Sequence, residues 1–206
     1  ATKLSNKKMM VDTLNNLARY YLRTSQLDKM KEIINKTTKA LDGFNYPAGK
    51  VAALSKIGTW YFAQNQFKDA LKYYQQSANI VEVTDDPKGL AAAISNRGLT
   101  LKQLGEISKA LEDYHRAIEL SRSIQDYKQE AVTYGNIGVI HQQQGDLDQA
   151  LDCYIKAVEI ANSIGSKQIQ TYYLGNLSTA YQAKGQRKEA IKAQQELLHI
   201  SEITGN

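Results

Sequence analysis

Apolar and small residues return along this chain at helical spacing, and the helical pattern itself returns every forty residues. Leu14, Leu17 and Tyr21 fall at i, i+3 and i+7, and Leu54, Ile57, Tyr61 and then Leu174, Leu177, Tyr181 repeat the set. Such spacing places three side chains on one face of a helix. A small residue follows the middle member: Ala18, Gly58, Gly98, Gly138 and Ser178. Seven residues later stand Ser25, Asn65, Gly105, Gly145 and Gly185. A second helical stripe comes next, read as Phe67, Ala70, Leu71, Tyr74, Ala78 and again as Leu147, Ala150, Leu151, Tyr154, Val158. No stretch alternates with period two, so the pattern predicts helices and no strands. A fixed period between 20 and 50 residues marks stacked supersecondary units. The expected fold is all-α, two helices to a unit.

Local signals set the boundaries. Gly105, Gly145 and Gly185 suit a left-handed residue closing the first helix; Asn65 tolerates that conformation and Ser25 is the poorer fit. Asp86 before Pro87, Asp126 and Ser166 are the expected N-caps of the following units. Gly138 inside a helix costs about 1 kcal/mol relative to alanine, which predicts a neighbour too close for a Cβ. The units read approximately 6–45, 46–85, 86–125, 126–165 and 166–206, in one domain over residues 1–206. The first unit has no glycine at 18 or 25 and carries Lys31 where others have leucine, so its stacking should be the least regular. In the last, Gln194 replaces the tyrosine of 74, 114 and 154 while Ile191 and Leu198 remain apolar. Weak self-association through that C-terminal unit is expected.

The assembled pattern, small-x6-Gly-x4-Ala-Leu-x2-Tyr-x2-Ala, resembles the tetratricopeptide repeat over nearly the whole chain. The resemblance implies helical hairpins stacked into a right-handed superhelix, an α-solenoid of five units. The period departs from the family's usual 34, and the proline typical near the end of the second helix is absent at Glu82, Arg122 and Asn162. The long-period pattern is similar to kinesin light chains, Leu-Gly-Asn-repeat spindle adaptors, bacterial peptide-sensing phosphatases and sensor kinases with helical-repeat input regions.

If positions 14, 17, 18 and 21 pack inward, positions 12, 16, 19 and 23 form the opposite stripe, which the resemblance places on the concave surface. One asparagine recurs there, as Asn16, Asn96, Asn136 and Asn176, with Lys56 in the gap. Asparagine is a mediocre helix former, so propensity does not explain it. Each side-chain amide offers an acceptor and two donors, matching the C=O and N–H of an extended peptide. The long-period relatives use asparagines in this way, so the resemblance implies a peptide-binding ladder. The competing reading has the amides bonded to neighbouring helices within the fold. Gln103 and Gln143 extend the stripe. Arg19, Arg23 and Lys56 gather at its N-terminal end and suit an acidic partner segment, since arginine forks match carboxylates.

Charge changes the picture little. The net charge is +5, but residues 1–50 hold ten Lys/Arg against four Asp/Glu. A basic stripe along a whole face, as nucleic acid requires, is missing. No apolar run is long enough for a membrane span. One cysteine, Cys153, precludes an internal disulfide and is compatible with a reducing, cytoplasmic setting.

Candidate chemistry is sparse. His115, His141 and His199 lie in different units with no His-Glu-x-x-His pair for zinc. The stretch from Asp146 is calcium-loop-like but has Ala157 at the twelfth position. Neither a phosphate loop nor a nucleophile–base pair is readable. No enzyme activity and no cofactor are expected. Arg97, in a phase otherwise filled by Leu17, Ile57, Ile137 and Leu177, should snorkel or pair with an acid. His141 and Cys153 read as core fillers. The expected function is an interaction module gripping an extended protein segment, as adaptor or as the input region of a signalling protein. The alternatives are a self-associating sensor module and, behind it, an RNA-binding helical repeat.

Overall fold

The computed structural model describes residues 2–204. They form helices joined by short turns, with no strand among the described residues. In chain order these are α1 (Thr2–Arg23), α2 (Leu27–Leu41), α3 (Pro47–Ala63), α4 (Phe67–Val83), α5 (Pro87–Gln103), α6 (Ile107–Ser123), α7 (Tyr127–Gln144), α8 (Leu147–Ser163), α9 (Lys167–Ala183) and α10 (Arg187–Thr204). The chain divides into two compact halves, Ala1–Glu106 and Ile107–Asn206.

The turn that closes each first helix follows the forty-residue register. Ser25, Asn65, Gly105, Gly145 and Gly185 all have positive φ, between 54° and 86°. A left-handed residue there turns the chain so that orphan carbonyls of the last turn are satisfied. Gln66 N–H reaches Tyr61 O, and Asp146 N–H reaches His141 O, each at 2.9 Å. The turns after α2, α4, α6 and α8 are left-handed too, at Gly43, Asp85, Gln125 and Gly165, which sequence reasoning did not anticipate. Asp86 accepts from Gly89 N–H at 2.9 Å and Asp126 from Gln129 N–H at 3.1 Å, as expected of caps. Ser166 corrects the third expectation: it occupies the cap position but makes no side-chain cap bond.

In the N-terminal half, Val11, Ala18, Met30 and Ile33 are buried. Leu14, Leu17, Tyr21, Ile57 and Trp60 pack around Ala18 and Met30. Trp60 Nε1–H donates to the carbonyl of Leu27 at 3.0 Å, pinning α3 to the start of α2. In the C-terminal half the core runs through Leu151, Tyr154, Tyr173, Leu174, Leu177 and Ile200.

The close neighbour expected at the helical glycines is a tyrosine ring. A Cβ on Gly138 would stand 2.7 Å from Tyr154 Cε1, and one on Gly58 2.8 Å from Tyr74 Cε1. The tyrosine sixteen residues on therefore requires the glycine. Where Gln194 replaces that tyrosine, the small position accommodates Ser178, whose hydroxyl donates to Ala190 O at 3.3 Å.

The first pair of helices is the irregular one. α2 has 15 residues where α4, α6 and α8 have 17. Its left-handed turn falls at Gly43, two residues before the register of Asp85, Gln125 and Gly165. Phe44 and Tyr46 fill the longer connection, with ring centroids 5.9 Å apart. Tyr46 donates to the Asp12 carboxylate at 2.9 Å, tying the connection to α1.

Candidate functional site

The recurrent asparagines sit on first helices, at one helical position forty residues apart. In the C-terminal half, Asn136 of α7 and Asn176 of α9 are half-buried. In the N-terminal half, Asn16 of α1 is exposed, and Lys56 of α3 and Asn96 of α5 are half-buried. Among the described residues, none of these four amides uses its side chain in a hydrogen bond within the fold. Asn176 Nδ2 is buried outright and lacks a partner. Buried polar groups are nearly always satisfied, so an orphaned donor calls for an explanation. Bonding between first helices falls instead to the preceding position in the first unit: buried Asn15 donates to the carbonyl of Gly49 at 3.3 Å. The reading in which these asparagines bond neighbouring helices finds no hydrogen bond to support it.

Arg19, Arg23, Gln103 and Gln143 are exposed, free to meet a partner. Lys56 is unlike them. Burial, then the nearby charge of Arg19, pushes its ammonium below the usual lysine range. Arg19 and Lys56 thus form one basic locus in the N-terminal half, with Arg23 one turn beyond Arg19 on α1. Lys102, next to the stripe, is also lowered, by burial alone.

Arg97 is half-buried and donates from Nη1 to Gln75 Oε1 of α4 at 2.7 Å. Two other expectations resolve differently. His141 is not a satisfied core residue. It is half-buried, its Nδ1 has no hydrogen bond, and Asp146 Oδ2 lies 3.9 Å away. Cys153 is half-buried beside it and lines the same cleft of 350 Å³ with Arg122, Tyr134 and Lys156. Burial pushes the Cys153 thiol up, which keeps it protonated and unreactive at neutral pH. No group of three or more His, Cys, Asp or Glu among the described residues is placed to hold a metal ion.

Sequence reading missed the clefts on the other side of the first helices. A cavity of 840 Å³ in the N-terminal half is lined by Leu41, Phe44, Tyr46, Leu54 and Ile80, with Lys39 and Lys50. Its signal was present in the slip of Gly43 from the forty-residue register. In the C-terminal half, Arg122 donates to Glu130 at 2.6 Å and to the Tyr134 hydroxyl, and Lys156 lies over the Tyr134 ring. Glu130 is almost wholly buried, and pairing with Arg122 offsets the cost of desolvating it.

No helix among the described residues is long and apolar enough to cross a membrane. No curated protein sequence matches the chain. Solved structures do. BtubC (BKLC) from P. vanneervenii superposes with a TM-score of 0.77 at 16% identity, covering 98% of this chain and 91% of that one. A Rap protein complexed with competence and sporulation factor gives 0.84 at 16%, covering 93% of this chain and 54% of that one. The Rap conjugation gene regulator of plasmid pLS20, in complex with the Phr* peptide, gives 0.79 at 18%, covering 92% and 52%. The chain thus spans about half the length of either Rap structure, and identities this low establish likeness of fold alone. The tetratricopeptide repeat model matches residues 49–126 and 129–202, well over half of the sequence, and with the helix pairs, left-handed turns and glycine–tyrosine contacts described above this makes the chain a member of the tetratricopeptide repeat family.

Proposed function

We propose that the chain is a protein-interaction module that grips an extended peptide segment along its first helices. The observation that supports this reading is the set of amides at Asn16, Asn96, Asn136 and Asn176, which share one helical position and make no side-chain hydrogen bond among the described residues. An amide that bonds nothing within the fold adds little to stability, and its donors and acceptor match a peptide backbone. Main-chain recognition of this kind grips many sequences, and flanking side chains select among them. Arg19, Arg23 and Lys56 favour carboxylates in the segment, because an acidic residue would relieve the positive field on Lys56. The Rap regulator captured with the Phr* peptide is a precedent on a similar fold.

The test uses the whole chain. Partners captured from a lysate are identified by mass spectrometry, and the bound segment is synthesised. Its affinity for Asn136→Ala and Asn176→Ala variants is then measured by calorimetry beside their melting temperatures. Each variant should lose roughly 1–3 kcal/mol of binding as a buried peptide group goes unpaired. Melting should hold or rise slightly, since alanine is the better helix former. A variant that melts early yet binds unchanged would end this reading.

A further inference from the structure

In each half of the molecule, neighbouring second helices stand apart, and a trough opens between them over the first helix that joins them. These troughs differ in size and sign. The one between α8 and α10 holds 250 Å³, and Glu159, Glu189 and Glu196 line it against Lys192. Between α2 and α4 the 840 Å³ cavity meets a second of 490 Å³ along Thr38, Lys39, Leu54 and Ile57, which makes one trough of the two. Its charged lining is Lys31, Lys39 and Lys50 against Asp42. By register Lys31 stands where Leu71, Leu111 and Leu151 stand, and Lys39 where Glu119 and Glu159 stand. The repeat itself therefore does not call for a basic trough. Lys31 Nζ lies 5.1 Å from the centre of the Trp60 ring, and neither Lys39 nor Lys50 has an ion-pair partner among the described residues.

The floor is Leu54 and Ile57 of α3, with Phe44 and Tyr46 at one end and Trp60, Tyr61 and Tyr73 at the other. Apart from buried Leu54, all of these side chains are half-buried and keep part of their apolar surface in water. An aromatic floor inside a charged rim is the anatomy of a protein interface. On α3 this face lies opposite the one that bears Lys56, so the trough is separate from the asparagine stripe.

We propose that this trough docks an acidic amphipathic helix of a partner protein, with its apolar face on Leu54 and Ile57 and its carboxylates against the lysines. The occupant is a helix because of what the trough offers. An extended segment would bring unpaired N–H and C=O groups onto a hydrocarbon floor, between walls whose peptide groups are already bonded. A helix bonds its own backbone and presents only side chains, the helix-in-groove mode of recognition. The dimensions agree. From Lys31 to Asp42 the trough follows α2 for about 16 Å, room for roughly three turns. Lys31 and Lys39 stand about 12 Å apart along α2, the spacing of carboxylates two turns apart on a helix laid beside it. Three lysines against one aspartate select acidic over basic partners.

Trp60 is the chain's one tryptophan, so its emission reports on this trough alone. A phage-displayed library of random peptides of about 16 residues, long enough to span the trough, is selected on the purified whole chain. Enriched peptides are synthesised without tryptophan and titrated against the chain by Trp60 fluorescence and by calorimetry. They should carry apolar residues at i, i+3 or i+4 and i+7, flanked by Asp or Glu, and should shift the Trp60 emission. The double variant Lys31→Glu/Lys39→Glu should bind them about tenfold more weakly, since each reversal turns an attraction into a repulsion. The same peptides with lysine in place of their acids should prefer the variant to the unmodified chain. Both lysines are exposed, so the melting temperature should hold; should it fall, Lys39→Glu/Lys50→Glu replaces the pair. Enriched peptides that leave Trp60 emission unchanged overturn the proposal, as do peptides that bind the double variant as tightly as the unmodified chain. Peptides weakened by Asn136→Ala but not by the lysine reversals would lie on the asparagine stripe, which ends this proposal and leaves the reading of that stripe standing.

Discussion

The connection from α2 to α3 and the packing of α9 on α7 solve one problem in different ways. Each must bring a first helix against the repeat before it. At α9 the approach is tight. Tyr173 lies over Gly135, where no side chain could stand, and its hydroxyl reaches the Val132 carbonyl. At α3 the preceding helix stops two residues early, and a longer connection fills the gap with Phe44 and Tyr46. The connection is held by Tyr46 to Asp12, and by Lys7 and Lys8 over the two rings. The first route sets the ring directly against the backbone at Gly135; the second leaves the 840 Å³ cavity. One repeat length therefore supports either a closed joint or an open one, and a two-residue change in helix length decides between them.

The largest expected effect sharpens that contrast on the closed side. Gly135→Ala would drive a Cβ into the buried Tyr173 ring. Overpacking of this kind costs roughly 1–3 kcal/mol, and denaturant unfolding should show it. The same change at Gly175, forty residues on, meets nothing nearer than Leu197 Cδ1 at 3.8 Å. There alanine should stabilise by up to about 1 kcal/mol through helix propensity. Equal effects at the two glycines would break the argument.

A smaller effect concerns caps. Asp126→Ala removes a bond to Gln129 N–H and should cost about 0.5–2 kcal/mol. Ser166→Ala, at the equivalent place in the next repeat, removes no cap bond and should change melting hardly at all. If both variants lose the same stability, the difference between the two caps is not real.

The smallest effect lies in the open half, at Lys56. Its folded pKa is lowered, so between that value and the ordinary lysine value the unfolded chain binds more protons. Stability should then rise with pH across that alkaline window, and the cost of burying the charge is fully present below it. Lys56→Asn, which completes the asparagine series, should remove this slope and raise the melting temperature slightly at neutral pH. An unchanged alkaline slope in the variant would assign it to other groups.

Much of the fold was legible from periodicity, because helix faces and turn residues are local. The positions of Leu14, Leu17 and Tyr21 relative to one another follow from helical geometry alone. The left-handed conformation at Gly145 follows from what a helix end needs. The failures share one cause. Ser166 has the right residue type for a cap, but whether its hydroxyl reaches an N–H depends on a backbone geometry that residue type does not specify. His141 and Cys153 looked like core because their phase matched packing positions, yet the distance between α6 and α8 opens a cleft over them.

The same division runs through the candidate site. The sequence by itself determined that Asn16, Asn96, Asn136 and Asn176 occupy one helical position, since a forty-residue repeat of helix pairs returns each residue to its phase. It also determined that Gly58 and Gly138 must be small, though not which ring demands it. Only the tertiary structure decided that Asn176 Nδ2 is buried with no partner, that Lys56 is desolvated beside Arg19, and that Ile191 and Leu198 of α10 are exposed. Periodicity sets which way a side chain points from its own helix. What it meets there depends on the separation of helices distant in sequence, and a difference of one or two ångströms decides between a bond, a void and a clash.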